Sequence, residues 1–169
     1  IDQINTAFVR GYVYFERDIL APQLDKLNVR GYKFGGYIAR ISSIKSYFDE
    51  NMKLLDEENL DALFGGNHIY TKIRDDNPTR YIKGAKAKNI MAADGCIIEG
   101  EVENSVLFRG VRVGKGAKVK NCVLMQDTVI EPGVNVEYII SDKNVTITAD
   151  KEIKGTDSFP VYVAKYQVV

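Results

Sequence analysis

Val111, Ala117, Val123 and Val129 sit six residues apart, and Val113, Val119 and Met125 each follow one of the first three by two. Turn formers recur at the same interval: Gly114 to Gly116, Asn121, Asp127, then Pro132-Gly133. A chain punctuated in this way can hold only short strands joined by tight corners. No single repeat buries its apolar side chains alone, so the repeats must stack and share one core. That is the logic of a hexapeptide-repeat parallel β-helix. After Gly133 the register slips: Val134 and Ile140 keep the spacing, whereas Val145 and Ile147 come one residue early. Upstream the rhythm is looser, through Cys96-Ile97-Ile98, Val102 and Val106-Leu107. An antiparallel sandwich of short strands is the alternative, but hairpins need no fixed period.

Residues 1 to 66 carry no hexads. Phe8 to Phe15 reads as extended, and Glu16 to Leu27 has helical apolar spacing at Ile19, Leu20, Leu24 and Leu27, with Pro22 near its start. Tyr32 to Ile41 reads as strand, kink at Gly35-Gly36, strand. The clearest helix follows. Ser42 or Ser43 caps it, and Ile44, Tyr47, Phe48, Met52 and Leu55 form one apolar face that must pack on something. Asp56-Glu57-Glu58 opens a second short helix, which Gly65-Gly66 ends. This third of the chain has too little of its own to close a core, so residues 1–66 are read as the tail of a larger α/β unit and 67–169 as the solenoid. A small independent α/β domain is the other possibility.

The 23 Lys and Arg balance the 23 Asp and Glu, which argues against a nucleic acid or an anionic membrane surface as main partner. No apolar run is long enough to cross a bilayer, and no signal peptide opens the sequence. Cys96 and Cys122 occupy apolar-type positions of the repeats, as reduced, buried thiols of a cytoplasmic protein would.

Ile69 to Arg74, Ala92 to Gly100, Val102 to Gly114, Val123 to Gln126 and Ser141 to Val145 resemble the C-terminal part of bacterial ADP-glucose pyrophosphorylases, the glucose-1-phosphate adenylyltransferases. The resemblance runs from about Phe15 to the C-terminus. It implies a nucleotidyltransferase domain followed by a left-handed β-helix; the usual rule for parallel crossovers favours the right hand. Catalytic members carry a motif similar to Gly-Tyr-Trp-x-Asp-Val-Gly-Thr, whose aspartate holds a magnesium ion. Here the run is Gly36-Tyr-Ile-Ala-Arg-Ile-Ser-Ser43, with Arg40 in place of the aspartate. A guanidinium has no lone pair for a cation and repels it. The departure is similar to the non-catalytic regulatory subunit of some Gram-positive bacteria. The resemblance then implies assembly with a catalytic subunit as a hetero-oligomer, a tetramer in this family. That partner would use Mg2+ to join ATP and glucose 1-phosphate into ADP-glucose for glycogen synthesis, and this chain would hold no cofactor of its own. Arg40 paired with a carboxylate on a solvated strand end is the plainer reading of the same residue.

The family's effector site takes phosphorylated metabolites, and Arg109, Arg112 and Lys143 fall in or beside matching motifs. Their cationic groups suit such a ligand, although basic residues on a solenoid are also ordinary surface. Lys115, Lys118 and Lys120, with Lys83, Lys86 and Lys88 upstream, read as surface matched by acidic residues. His68 is the single histidine. It cannot make a three-histidine zinc site, and it leaves a hexapeptide acyltransferase, with His68 as general base, as a weaker alternative. Ser158 to Val169 alternates like a strand, with Phe159, Val161 and Val163 on one face, ready to close the last coil or to meet another subunit.

Overall fold

A computed structural model describes residues 2–66, 69–71 and 73–169. His68 lies outside the described residues. Two compact units form, Ile1–Gly36 and Tyr37–Val169.

The first unit is irregular. Helix α1 (Asp2–Val9) ends where Gly11 takes φ +68, with Gly11 N–H donating to Phe8 O and Tyr12 N–H to Ala7 O. This left-handed glycine closure draws Phe8 and Val9 into a helix, against the extended reading of Phe8 to Phe15. Residues Phe15–Leu20 and Ala21–Gln23 make short π and 3-10 turns, with Pro22 near the start of the second. No strand forms among residues 32 to 41, so the strand, kink, strand expectation fails there.

In the second unit, helix α2 (Ile44–Lys53) starts at Ser43, whose hydroxyl accepts from Ser46 N–H while the Ser46 hydroxyl accepts from Ser43 N–H. Helix α3 (Glu57–Phe64) starts at Asp56, whose carboxylate accepts from Glu58 and Asn59 N–H, and ends at Gly65. Both match the sequence reading.

The remainder is mainly β: a parallel solenoid in which each coil contributes a strand to each of three columns. The first column is β1 (Arg80–Tyr81), β3 (Ile97–Ile98), β5 (Arg112–Val113), β8 (Val129–Ile130) and β11 (Thr146–Ile147). The long strands β2 (Lys86–Ala92) and β4 (Glu101–Leu107) turn a corner and serve both other columns. Their first halves head the second column, with β6 (Lys118–Lys120), β9 (Asn135–Glu137) and β12 (Glu152–Lys154). Their second halves head the third, with β7 (Val123–Leu124), β10 (Ile139–Ser141) and β13 (Val161–Val163).

Paired residues lie mostly 17 apart in sequence, as in Arg112↔Val129 and Val129↔Thr146. The step is 15 at Ile97↔Arg112, where Glu99-Gly100 makes a shortened corner, and 22 at Ile139↔Val161. Gly100 admits no side chain, because a Cβ there would lie 2.4 Å from Ala117 O. The core is three inward stacks: Ile98, Val113, Ile130, Ile147; Val102, Val119, Val136, Ile153; and Leu107, Leu124, Ser141, Val163. Each fully buried aliphatic side chain contributes about 1.5–3 kcal/mol only because a neighbouring coil covers it. The polar members of the core are satisfied, with Thr128 Oγ1 2.9 Å from Ser141 Oγ and donating to Met125 O.

The 17-residue coil corrects the unbroken series of six. The buried residues at the corners are Val111, Ala117, Cys122, Thr128, Val134, Ile139 and Val145, so the corner steps run six, five, six. Val123 instead faces outward with Val106 and Ile140, and Phe48 of α2 covers all three. At the C-terminus β13 pairs with β10 and closes the last coil; Val163 is buried, but Phe159 is 78% exposed on the preceding turn rather than sharing Val163's face.

The outer surface of the second column carries two stacks of side chains. One is Lys86, Glu101, Lys118, Asn135, Glu152; the other, Lys88, Glu103, Lys120, Glu137, Lys154, alternates in sign at every step. Lys86 Nζ lies 2.7 Å from Glu101 and Lys88 Nζ 2.9 Å from Glu103. Lys86, Lys88, Lys118 and Lys120 of the lysine run are therefore surface matched by carboxylates on the neighbouring coils.

Candidate functional site

The corner between the third and first columns is built from left-handed residues: Gly95, Gly110, Asp127, Asn144 and Tyr166 all have positive φ. The residue before each is thereby held at one edge of the prism, stacked Asp94, Arg109, Gln126, Lys143, Lys165. Their carbonyls accept in turn from the next coil: Arg109 O from Asp127 N–H, Gln126 O from Asn144 N–H and Lys143 O from Tyr166 N–H. Arg109 and Lys143 thus share an edge two coils apart, roughly 10 Å along the axis. Arg112 does not join them. It lies exposed on the flat first column between Ile97 and Val129.

Beside this edge an apolar groove of about 450 Å3 is lined by Ile41, Ser43, Ile44, Tyr47, Met125, Ile140 and Tyr162. Met125 of the groove directly precedes Gln126, and Tyr162 of the groove donates to Asp142, the residue before Lys143, so the groove adjoins the cationic edge. Asp142 is fixed from two sides: Lys143 N–H donates to it at 2.6 Å and Tyr162 O–H at 3.0 Å. That hydrogen bond to a carboxylate raises the Tyr162 phenol above its ordinary range. Burial does the same to Tyr47. The edge offers cations for an anion and the groove offers apolar wall, with no activated nucleophile near either among the described residues.

The thiols are no better placed for chemistry. Burial pushes Cys96 up and Cys122 up to about 12, so neither supplies a thiolate at neutral pH. Among the described residues no three His, Cys, Asp or Glu side chains are grouped to hold a metal. Arg40 is exposed in the segment leading to α2 and makes no ion pair or hydrogen bond among the described residues, so the plainer reading, pairing with a carboxylate, fails there. A magnesium ion does not fit a position that presents a guanidinium. Sequence reasoning missed Gln126 and Lys165 as edge residues; only the coil length reveals them, since they stand 17 residues after Arg109 and 22 after Lys143.

Residues 73–159 match the family described as GlmU-like, C-terminal hexapeptide. The chain belongs to that hexapeptide family. Among individual proteins, it is 42% identical over 140 residues to the glycogen biosynthesis protein GlgD of Bacillus subtilis (strain 168), covering 82% of this chain and 41% of that protein. It is 53% identical over 70 residues to GlgD of Geobacillus stearothermophilus, covering 41% and 20%. It is 35% identical over 158 residues to the glucose-1-phosphate adenylyltransferase of Clostridioides difficile (strain 630), covering 92% and 41%. The chain spans about two fifths or less of the length of these relatives. Residues 73–159, the part that matches the hexapeptide family, include Arg109 and Lys143 of the cationic edge.

Proposed function

We propose that this chain is part of a regulatory, non-catalytic subunit of glucose-1-phosphate adenylyltransferase, acting in glycogen synthesis. On this reading residues 1–66 end a nucleotidyltransferase domain, the solenoid winds left-handed, and the protein works in the cytoplasm. Similarity to GlgD proteins supports the regulatory label. The observation that carries it is Arg40, a permanent cation where catalytic members place the carboxylate for magnesium. The catalytic partner joins ATP and glucose 1-phosphate into ADP-glucose and pyrophosphate, and this chain tunes it within a hetero-oligomer. Similarity to adenylyltransferases themselves supports the competing reading of an active enzyme.

The test is an ADP-glucose assay on the full-length protein alone, on the catalytic subunit alone, and on the two together. The regulatory reading expects no product from the first and altered kinetics in the third; synthesis by the first alone overturns it. Within the mixture a phosphorylated effector binds the cationic edge. Lys143→Ala raises its half-saturating concentration about tenfold, the worth of one hydrogen bond from a charged donor. Arg112→Ala, off the edge, leaves it unchanged. A titration in which the two variants behave alike would remove the edge from consideration.

A further inference from the structure

We propose that the three methionines of this chain form an oxidation site around helix α2, and that a hydroperoxide, by converting them to sulfoxides, unseats that helix from the solenoid. The inference stands without the regulatory reading.

The chain has three methionines in 169 residues, on three separate parts of the fold: Met52 on α2, Met91 on β2 and Met125 just after β7. All three pack against one cluster, Phe48, Val106, Val123 and Ile140. Register explains how they meet. Met91 pairs with Val106, Val106 with Val123 and Val123 with Ile140, so Met91 heads the outward stripe that Phe48 covers. Met125 stands two residues beyond Val123, on the same outward side of the coil. Met52 stands one turn beyond Phe48, on the same face of the helix. The methionines are half-buried, and Met125 also lines the apolar groove, so a molecule as small as a peroxide reaches them. The chain's other two sulfur atoms, in Cys96 and Cys122, are 0% exposed. Sulfur that an oxidant can reach is therefore gathered at this one contact.

The chemistry is a two-electron transfer. A thioether lone pair attacks one peroxide oxygen, the S–O bond forms as the O–O bond breaks, and the departing hydroxide takes the proton left on the transferred oxygen and becomes water. Sulfur is oxidised and the peroxide reduced, leaving a polar sulfoxide where an apolar thioether stood. The sulfoxide oxygen accepts hydrogen bonds, and the four buried side chains of the cluster have none to donate. A seated helix leaves that dipole unsatisfied; a released one lets water reach it. Helix α2 meets β4 and β7 through this contact, so the loss falls on the helix, while the coils keep their own inward stacks. With α2 released, the wall that Ile44 and Tyr47 give the groove is lost as well. A dithiol-dependent sulfoxide reductase reverses the step.

Hydrogen exchange on the whole chain before and after hydrogen peroxide tests this, with peptide mapping by mass spectrometry to locate the sulfoxides. Once all three methionines are oxidised, the amides of residues 44–53 should exchange at least about tenfold faster, as one uncompensated polar group demands, while those of β4 and β7 keep their protection. Methionine sulfoxide reductase with a dithiol should restore the original rates. The triple variant Met52→Leu/Met91→Leu/Met125→Leu, which preserves volume and apolar character, should keep α2 protected before and after peroxide. Each single Leu variant should show a smaller acceleration than wild type, a readout that does not depend on the triple variant folding. Methionines that stay unoxidised where free methionine is consumed overturn the proposal. So do full oxidation with the α2 rates unchanged, loss of protection that spreads to β4 and β7, or Leu variants that respond as wild type does.

Discussion

Asn89, Asn104 and Asn121 turn the same corner of successive coils with φ near +50, and Asn104 Nδ2 donates to Asn121 Oδ1 at 3.0 Å. Asparagine tolerates this conformation better than other residues with a Cβ, and its amide adds a link from coil to coil. Asn121→Ala is expected to lose about 1–3 kcal/mol from backbone strain and the lost hydrogen bond. Asn121→Gly, which relieves the strain, loses less; urea denaturation of the two variants measures the difference. Its neighbour Cys122 makes a pH-dependent contribution. With a folded pKa of about 12 against an ordinary 9.0, the buried thiol stabilises the fold fully below pH 9, and that stability is lost as pH rises toward 12. Cys122→Ala should therefore decline less steeply than wild type over this window, by up to about 1.4 kcal/mol per pH unit. Neither thiol of the native chain should react with a thiol reagent at pH 8, and both should do so in denaturant; labelling followed by mass spectrometry reads this directly.

At the level of elements, α2 roofs one side of the prism. Phe48, 2% exposed, sits over Val106, Val123 and Ile140, with its ring 6.2 Å from that of Tyr138. Phe48→Ala should cost about 3–5 kcal/mol and increase protease cleavage within residues 44–66, whereas Phe64→Ala, at an exposed position, should change little. The helix itself was legible in the sequence because its serine cap and its apolar face are both local signals. What it covers was not. Val123 is as apolar as an inward residue because it too is buried, under a helix, so hydrophobicity alone assigned it to the wrong side. The same blindness affected the site. Arg109 and Lys143 share an edge and Arg112 leaves it only because of where each falls in a 17-residue coil, and a series counted in sixes cannot place them. Phe8 to Phe15 misled for a different reason: an apolar run says little about helix or strand until the glycine that ends the helix is weighed.

The whole solenoid obeys a rule of lengths. Removing residues 118–134 joins Ala117 to Asn135, the register partner of Lys118, and takes out one complete coil. The shortened chain should keep its β-rich circular dichroism and melt cooperatively at a lower temperature. Removing residues 118–123, a single hexad, shifts every following strand by one column and should abolish cooperative melting. Strand partners are separated by 15 to 22 residues, so the coils can zip up one upon the next from nearby segments. Phe48, by contrast, must find Val123 and Ile140 across 75 and 92 residues of chain. Seating the helix closes the longest loop in this unit and falls to the end of folding, and until then a nascent chain carries a bare greasy stripe that a chaperone could grip.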